Sequence, residues 1–399
     1  MNGAKTTRNV GKSTGNRTGA VPSEGQRPNS ALVVGAGFAG LSAARTLADL
    51  GWRVVLVEQQ GHLGGHGHHW ACMATEACAR CSACAVSDLI QQVIRDPAIT
   101  VRTTATLAAL EGADGSFVAR LQPVGSSEAV CRSHPNFALA ADESIPVSKV
   151  VIATGFQPFD PAELPMLNYG RLPNVLTLAE MDDVLREDRL AALITGEKSK
   201  LAFIQCVGSR DRERGREYCS QFCCKGSIRL ARKLLNEKPD LQITIYYIDL
   251  QLTGKAFRVF YKETRDKISF VQGTPAEILP AVEGPGLRVK AYDPATGAIG
   301  YEEHDVIVLA AGQRPGPANA ALAANLGLKL GEDGFLALAR SAHSTASSRP
   351  GVFLAGASAG PTDLAMACTQ AFAAAAEIGA PDKSFQTDRP LLATGSLQR

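Results

Sequence analysis

Several things are missing from this sequence, and each absence narrows what it can be. No apolar run approaches the roughly 18 residues that a membrane-crossing helix needs. Charge is close to balanced, 41 Lys and Arg against 39 Asp and Glu, for a net of +2. That balance excludes the strongly basic surface by which a protein holds nucleic acid or an anionic membrane. The N-terminal stretch has basic residues with no apolar segment behind them, so no secretory signal is expected. Residues 1–29 are nearly free of large apolar side chains and cannot offset the entropy of being ordered. A mobile tail is expected there, and a second loose tail over 383–399. The ten cysteines are bunched rather than spaced as pairs, which argues for the reducing cytoplasm over a disulfide framework. At 399 residues the chain can form two or three domains with sizeable cores.

What is present begins with a strand–loop–helix–strand unit over 31–58. An apolar run, Ala31 to Val34 by pattern, leads into Gly35, Ala36, Gly37, Phe38, Ala39 and Gly40, then an amphipathic helix, then a second apolar run ending in Glu58 and Gln59. In such a turn the first glycine permits the bend, the second lets a pyrophosphate approach the backbone, and the third lets helix and strand pack closely. Glu58 is at the distance expected of an acid that binds a ribose hydroxyl. The complete pattern, unlike an isolated GxGxxG, points to dinucleotide binding.

The densest chemistry lies at 203–228, FIQCVGSRDRERGREYCSQFCCKGSI. Four cysteines, Cys206, Cys219, Cys223 and Cys224, fall within it. Cys206 closes an apolar run, 201–204, that reads as a buried strand. Cys223 and Cys224 open a segment whose apolar positions recur at helical spacing. One thiol therefore sits at a strand's carboxyl end, and three lie at or before a helix N-terminus, where the dipole favours negative charge. Four thiolates so placed suit an iron–sulfur cluster; the other reading is a scatter of buried free cysteines.

A second cysteine run, Cys72, Cys78, Cys81 and Cys84, follows His62, His66, His68 and His69. Its spacing could hold a second cluster, or zinc together with a histidine, while resemblance to related chains that keep a shortened form of this run beside their flavin implies thiols lining the cofactor pocket; a helix starting after Cys84 with Ser87 as cap argues against a cluster. Strands are expected at 100–120 and 148–152 in one small sheet, the latter closing at Ala153, Thr154 and Gly155. Cys131 has no expected role. A capped helix over 177–186, strands at 243–248 and 268–271, and a helix over 364–378 complete the pattern. Cys368 within that last helix reads as a packed small residue. The strand at 201–205 is not followed by a second glycine triplet. Resemblance to pyridine-nucleotide reductases, whose matching strand runs into a second glycine triplet, implies that the cysteine block stands where NAD(P)H would otherwise bind.

The stretch IQCVGSRDRERGREYC-x3-CC resembles the signature of the A-type (HdrA-like) component of heterodisulfide reductases, in the short form found in sulfur-oxidising bacteria. The resemblance runs over about 30–382. It implies a thioredoxin-reductase-like α/β fold of two Rossmann-like units: an FAD domain from 30–155 plus 310–382, and an inserted domain, 156–309, carrying the iron–sulfur site. It implies that Cys206, Cys219, Cys223 and Cys224 ligate a [4Fe–4S] cluster beside FAD. Gly64, Gly65, Ala153, Thr154, Gly155, Gly356 and Ala357 would contact the flavin. Where the wider family has an acid for the ribityl chain this sequence has Ala357, leaving that contact to backbone or to Asp363. The expected partners are a second copy and heterodisulfide-reductase-like B and C subunits, in cytoplasmic sulfur oxidation. The ferredoxin-type C-x2-C-x2-C-x3-C-P run of the long methanogen forms is absent. Arg229 replaces a lysine that lies by the flavin in those forms, which implies a flavin that does not bifurcate electrons. Two other readings stand beside this one: a free-standing dithiol/disulfide oxidoreductase, and a zinc-stabilised binding module.

Overall fold

A computed structural model of the chain describes residues 29–70, 83–125, 137–196, 198–293, 297–339 and 344–380. Two five-stranded parallel sheets organise them. In the first, the strands run in the order Val352–Leu354, Lys149–Ile152, Ser30–Val34, Arg53–Val57, Ile99–Arg102. Helices Phe38–Asp49 and Leu364–Gly379 pack on one face; Ala367, Ala371, Ala374 and Ala375 are small enough to let the two helices approach closely. The other face is covered by an antiparallel meander, Ala105–Ala113, Ser116–Pro123 and Glu143–Val147, and by helix Asn319–Leu326. Burial on both faces is why the central strands are uninterrupted apolar runs rather than alternating ones.

That rule corrects one expectation. The strand near 148–152 does not join the small sheet, and neither does the start of the 100–120 run, since Ile99–Arg102 is the edge strand of the central sheet beside Arg53–Val57. Val150, Val151 and Ile152 are fully buried, and Lys149–Ile152 lies between Ser30–Val34 and Val352–Leu354 in the central sheet. The small sheet takes Glu143–Val147 instead, where solvent-facing and partly covered residues alternate. A second correction concerns Ser87, which lies inside helix Ala83–Arg95 rather than capping it.

The second sheet has the order Ser269–Gln272, Gln242–Tyr247, Lys200–Val207, Val306–Ala311, Val175–Thr177. Helices Leu178–Arg186, Cys223–Glu237 and Lys255–Arg265 cover one face. Thr177 caps the first through a capping box with Glu180, as its sequence predicts. A meander of Glu277–Pro280, Leu287–Asp293 and Ala298–His304 covers the other face through Ile278, Leu287 and Val289. Segments Phe156–Pro158 and Gln313–Pro315, which carry the chain between the units, pair as an antiparallel ribbon.

Behind the second sheet, the Tyr246 hydroxyl donates to Glu302 Oε2 at 2.9 Å and sits 3.2 Å from His304 Nε2. With its one proton used on Glu302, the hydroxyl can only accept from the imidazole, so His304 is neutral with its proton on Nε2. A second proton would go on Nδ1, which is buried with no partner. Burial therefore holds the pKa of His304 down at about 4 against an ordinary 6.5. In the window between those values the unfolded chain binds the extra proton and the folded chain does not. Stability from this group is complete above the upper value and is lost as pH falls toward the lower one. Urea titrations should show a loss of about 3 kcal/mol across that window, which a His304→Phe variant lacks. An unchanged slope in the variant would refute the assignment.

Candidate functional site

The carboxyl end of the first sheet forms a crevice. Gly35 has φ +98°, and a Cβ there would strike the Ala153 carbonyl oxygen; one on Gly40 would strike the Gly35 carbonyl oxygen. Both glycines are demanded by packing. Gly37 is different: a Cβ there meets nothing within 4 Å. It caps the Phe38–Asp49 helix, whose first N–H groups are available to a phosphate. Phe38 and Ala39 form the first turn. The loop at Gly64 and Gly65, φ +107° and +53°, closes over Gly37, and Gly64 N donates to Ala36 O at 2.8 Å. Glu58 is buried and accepts from Ala36 N at 2.7 Å and Gln60 N at 2.9 Å. Burial raises its pKa while those N–H groups oppose the shift. They fix its orientation and leave lone pairs for a sugar hydroxyl. Gln59, next to it, is exposed.

Ala153 and Gly155 border the same crevice, and a Cβ on Gly155 would meet nothing. The Thr154 hydroxyl is buried without a partner, as is His62 Nδ1. Orphaned polar atoms beside an open glycine cradle fit a bound dinucleotide. Gly356 comes so close to the Phe38–Asp49 helix that a Cβ would meet Ala39 Cβ at 2.7 Å, and Ala357 is buried behind it. Asp363, one alternative for the ribityl contact, has partners on both oxygens: Met366 N at 2.9 Å, where it caps the Leu364–Gly379 helix, and the Lys225 ammonium.

The cysteine block lies at the carboxyl end of the second sheet. Cys206 sits in a register shift of the Lys200–Val207 strand with φ +61°. Cys206, Arg210 and Gln221 are three of the six described non-glycine residues in the left-handed region, each costing about 1–2 kcal/mol. Such strain gathers at functional sites. Between them, Gly208 could not be another residue, because the Phe159 ring occupies the place its Cβ would take. Cys223 and Cys224 open the Cys223–Glu237 helix, as expected, and are buried.

The four thiols are electrostatic neighbours. Burial first, and then the charge of Cys224, push Cys206 up to about 12, with Arg210 opposing. Burial and the neighbouring Cys206 raise Cys223 well above the ordinary thiol range. Cys224 is raised by burial and by Cys219, against a backbone N–H of Gln251. Donors already point at the sulfurs: Gln221 N to Cys219 Sγ at 3.3 Å, and the Arg210 guanidinium, itself paired with Asp249 at 2.5 Å, toward Cys206. Among the described residues no three His, Cys, Asp or Glu side chains converge on a point that would hold a single metal ion.

Arg229, half-buried on the same helix, is ion-paired with the buried Asp182 of the Leu178–Arg186 helix. The adjacent Asp183 meets His69 Nδ1 at 3.4 Å, so this helix touches both the cysteine helix and the histidine turn Gly65–His69. No sequence signal marked Asp182, which gains meaning only when the helices pack. His62 and His68 stack at 4.6 Å, and His66 stacks on Phe156 at 4.4 Å. Cys84 is exposed and Cys368 half-buried. Cys72, Cys78, Cys81 and Cys131 lie outside the described residues, as do both tails.

The glycines make a sharp comparison. Gly37→Val should fold normally and lose its flavin, because only the cradle is filled. Gly40→Ala should instead destabilise the fold, because the new methyl strikes backbone. Thermal unfolding and released flavin, measured on both, check this; loss of fold in Gly37→Val would refute it.

Residues 29–196 match the family of pyridine nucleotide-disulphide oxidoreductases. Over 88% of its length the chain is 29% identical to the A-type component of the H(2):CoB-CoM heterodisulfide,ferredoxin reductase of Methanothermobacter thermautotrophicus, covering 64% of it. It is 28% identical to the second A-type iron-sulfur component of the CoB–CoM heterodisulfide reductase of Methanopyrus kandleri, over 87% of this chain and 63% of that one. The chain thus spans just under two thirds of the length of these relatives. Among solved structures, thioredoxin reductase of T. acidophilum superposes with a TM-score of 0.53 at 16% identity, covering 89% of this chain and 98% of that one. The sequence is similar to the A-type component of heterodisulfide reductases, and the fold is thioredoxin-reductase-like.

Proposed function

We propose that this chain is an electron-transfer oxidoreductase subunit that holds FAD in the first unit and one [4Fe–4S] cluster on Cys206, Cys219, Cys223 and Cys224 in the second. One observation carries the reading: the strand that in nicotinamide-binding relatives would lead to a second glycine cradle here ends in four cysteines whose thiols oppose one another's ionisation. When bound, FAD handles one or two electrons and the cluster one. The protein's own part is to hold and to insulate. Gly35, Gly37 and Gly40 shape the pyrophosphate seat, Glu58 takes the ribose, and Ala153, Thr154, Gly155, Gly64, Gly65, Gly356 and Ala357 wall the flavin. Arg210 and the Gln221 N–H place positive charge against the sulfurs, which favours the more reduced cluster.

We propose further that the chain works in a heterodisulfide-reductase-like complex, which the names of its relatives support, and, on the resemblance of its cysteine signature alone, with B- and C-type subunits, as a homodimer, in cytoplasmic sulfur oxidation. No helix among the described residues is long and apolar enough to cross a membrane. Arg229, held by Asp182, stays charged through any redox change. A lysine there could release its proton as the flavin takes one up. On this reading Arg229 keeps the flavin from the strongly crossed one-electron potentials that bifurcation requires. The reading as a free-standing dithiol/disulfide oxidoreductase is disfavoured by the thiols themselves. Exchange needs an accessible, low-pKa thiolate, whereas Cys206, Cys223 and Cys224 are pushed upward.

Two measurements test the proposal. Cys219→Ala should lower iron and sulfide together to near background while FAD stays bound; iron retained in that variant and lost in Cys84→Ala would place the cluster elsewhere. Mixing the native protein with NADH or NADPH in stopped flow should leave the flavin spectrum unchanged, and rapid bleaching would contradict the missing cradle.

A further inference from the structure

Two units joined by a two-stranded ribbon are free to swing unless something else fastens them. Here the ribbon itself is fastened. Gln313, on its second strand, is buried and makes two bonds to the flavin-side loop: its Nε2 donates to Thr362 O at 2.8 Å, and its Oε1 accepts from Thr362 N at 3.0 Å. Its own N–H donates at 2.8 Å to Ser220 Oγ, within the cysteine block. One residue thus bonds the ribbon, the flavin loop and the cysteine block at once.

A second tie lies beside it. Lys225, in the first turn of the cysteine helix, is ion-paired with Asp363, the residue that caps the Leu364–Gly379 helix. Both side chains are largely buried, and Lys225 also donates to Thr253 Oγ1 at 2.7 Å. Gln221 Nε2 donates to Pro361 O at 2.9 Å, and Tyr218 meets the buried Phe335 ring edge-on at 5.8 Å. Opening the units would strand the Thr362 amide, the Gln313 amide and a largely buried ion pair away from their partners, the costly kind of loss.

We propose that Gln313 and Lys225 are positioning residues that clamp the ribbon, holding the cysteine block and the flavin crevice at one fixed separation. Neither touches the reacting atoms, and neither makes or breaks a bond. They set the gap that an electron must cross, so that no swing of one unit against the other precedes the crossing. The inference rests on the reading of the two ends as flavin and cluster sites, but the clamp itself is a property of the fold.

The test is a distance measurement on the full chain. Nitroxides attached through unnatural amino acids at Gln92 and Lys262, both exposed on helices of opposite units, leave the cysteines untouched. Native protein should give one narrow distance, identical when oxidised and when reduced by dithionite. Lys225→Met combined with Gln313→Ala should at least double the width of that distribution, with FAD and iron contents unchanged. Lys225→Arg alone should leave it narrow. Two distances in the native protein, or a double variant as narrow as native, would overturn the clamp. If the double variant does not fold, hydrogen exchange of the Thr362 amide in native protein decides. Exchange as slow as that of the central-sheet amides supports the clamp, and exchange at loop rates overturns it. A native protein with one narrow distance but no FAD or iron would sink the functional reading and leave the clamp standing.

Discussion

Four thiols cannot lose their protons side by side in a buried space unless positive charge balances them. That constraint governs the second half of this molecule. Burial and mutual repulsion push Cys206, Cys223 and Cys224 upward, so without a counter-charge they stay neutral. On the proposed reading, iron would supply the charge and the thiol protons would leave on its binding. The backbone meets the same demand in its own way. It accepts left-handed φ at Cys206, Arg210 and Gln221, and the Gln221 N–H donates to the Cys219 sulfur at 3.3 Å. The cost is several kcal/mol in sum, about 1–2 per residue, and it persists only where surrounding packing over-determines the turn, as Phe159 does against Gly208.

The first half obeys a different constraint, which is room. Two of the three fingerprint glycines are fixed by contact with backbone, and the middle one by the absence of any contact. The crevice and the cysteine block then face each other through residues that belong to neither: Gln313, Thr362, Lys225 and Asp363. Asp363 shows how closely the parts are coupled. One carboxylate caps a helix of the flavin unit and neutralises a lysine of the cysteine helix.

Much of this was legible in the sequence wherever the information is local. The glycine fingerprint, Glu58, the Thr177 cap and the helix opening at Cys223 each follow from a pattern a few residues long, and the structure places them as expected. What escaped depends on partners distant in sequence. The run 149–152 resembles any β-branched strand, and only its burial on both faces assigns it to the central sheet. Asp182 finds Arg229 across 47 positions, and Gln313 finds Thr362 across 49. No spacing rule links them. Ser87 misled for the opposite reason: a good capping residue was overridden by a helix already begun at Ala83.

The central claim is that the cysteine block holds a cluster in place of a nicotinamide site. Iron, acid-labile sulfide and flavin quantified on anaerobically purified native protein test it most directly. The account predicts about four irons and about four sulfides for each FAD. Flavin present in full with neither iron nor sulfide, or with zinc in their place, would contradict it.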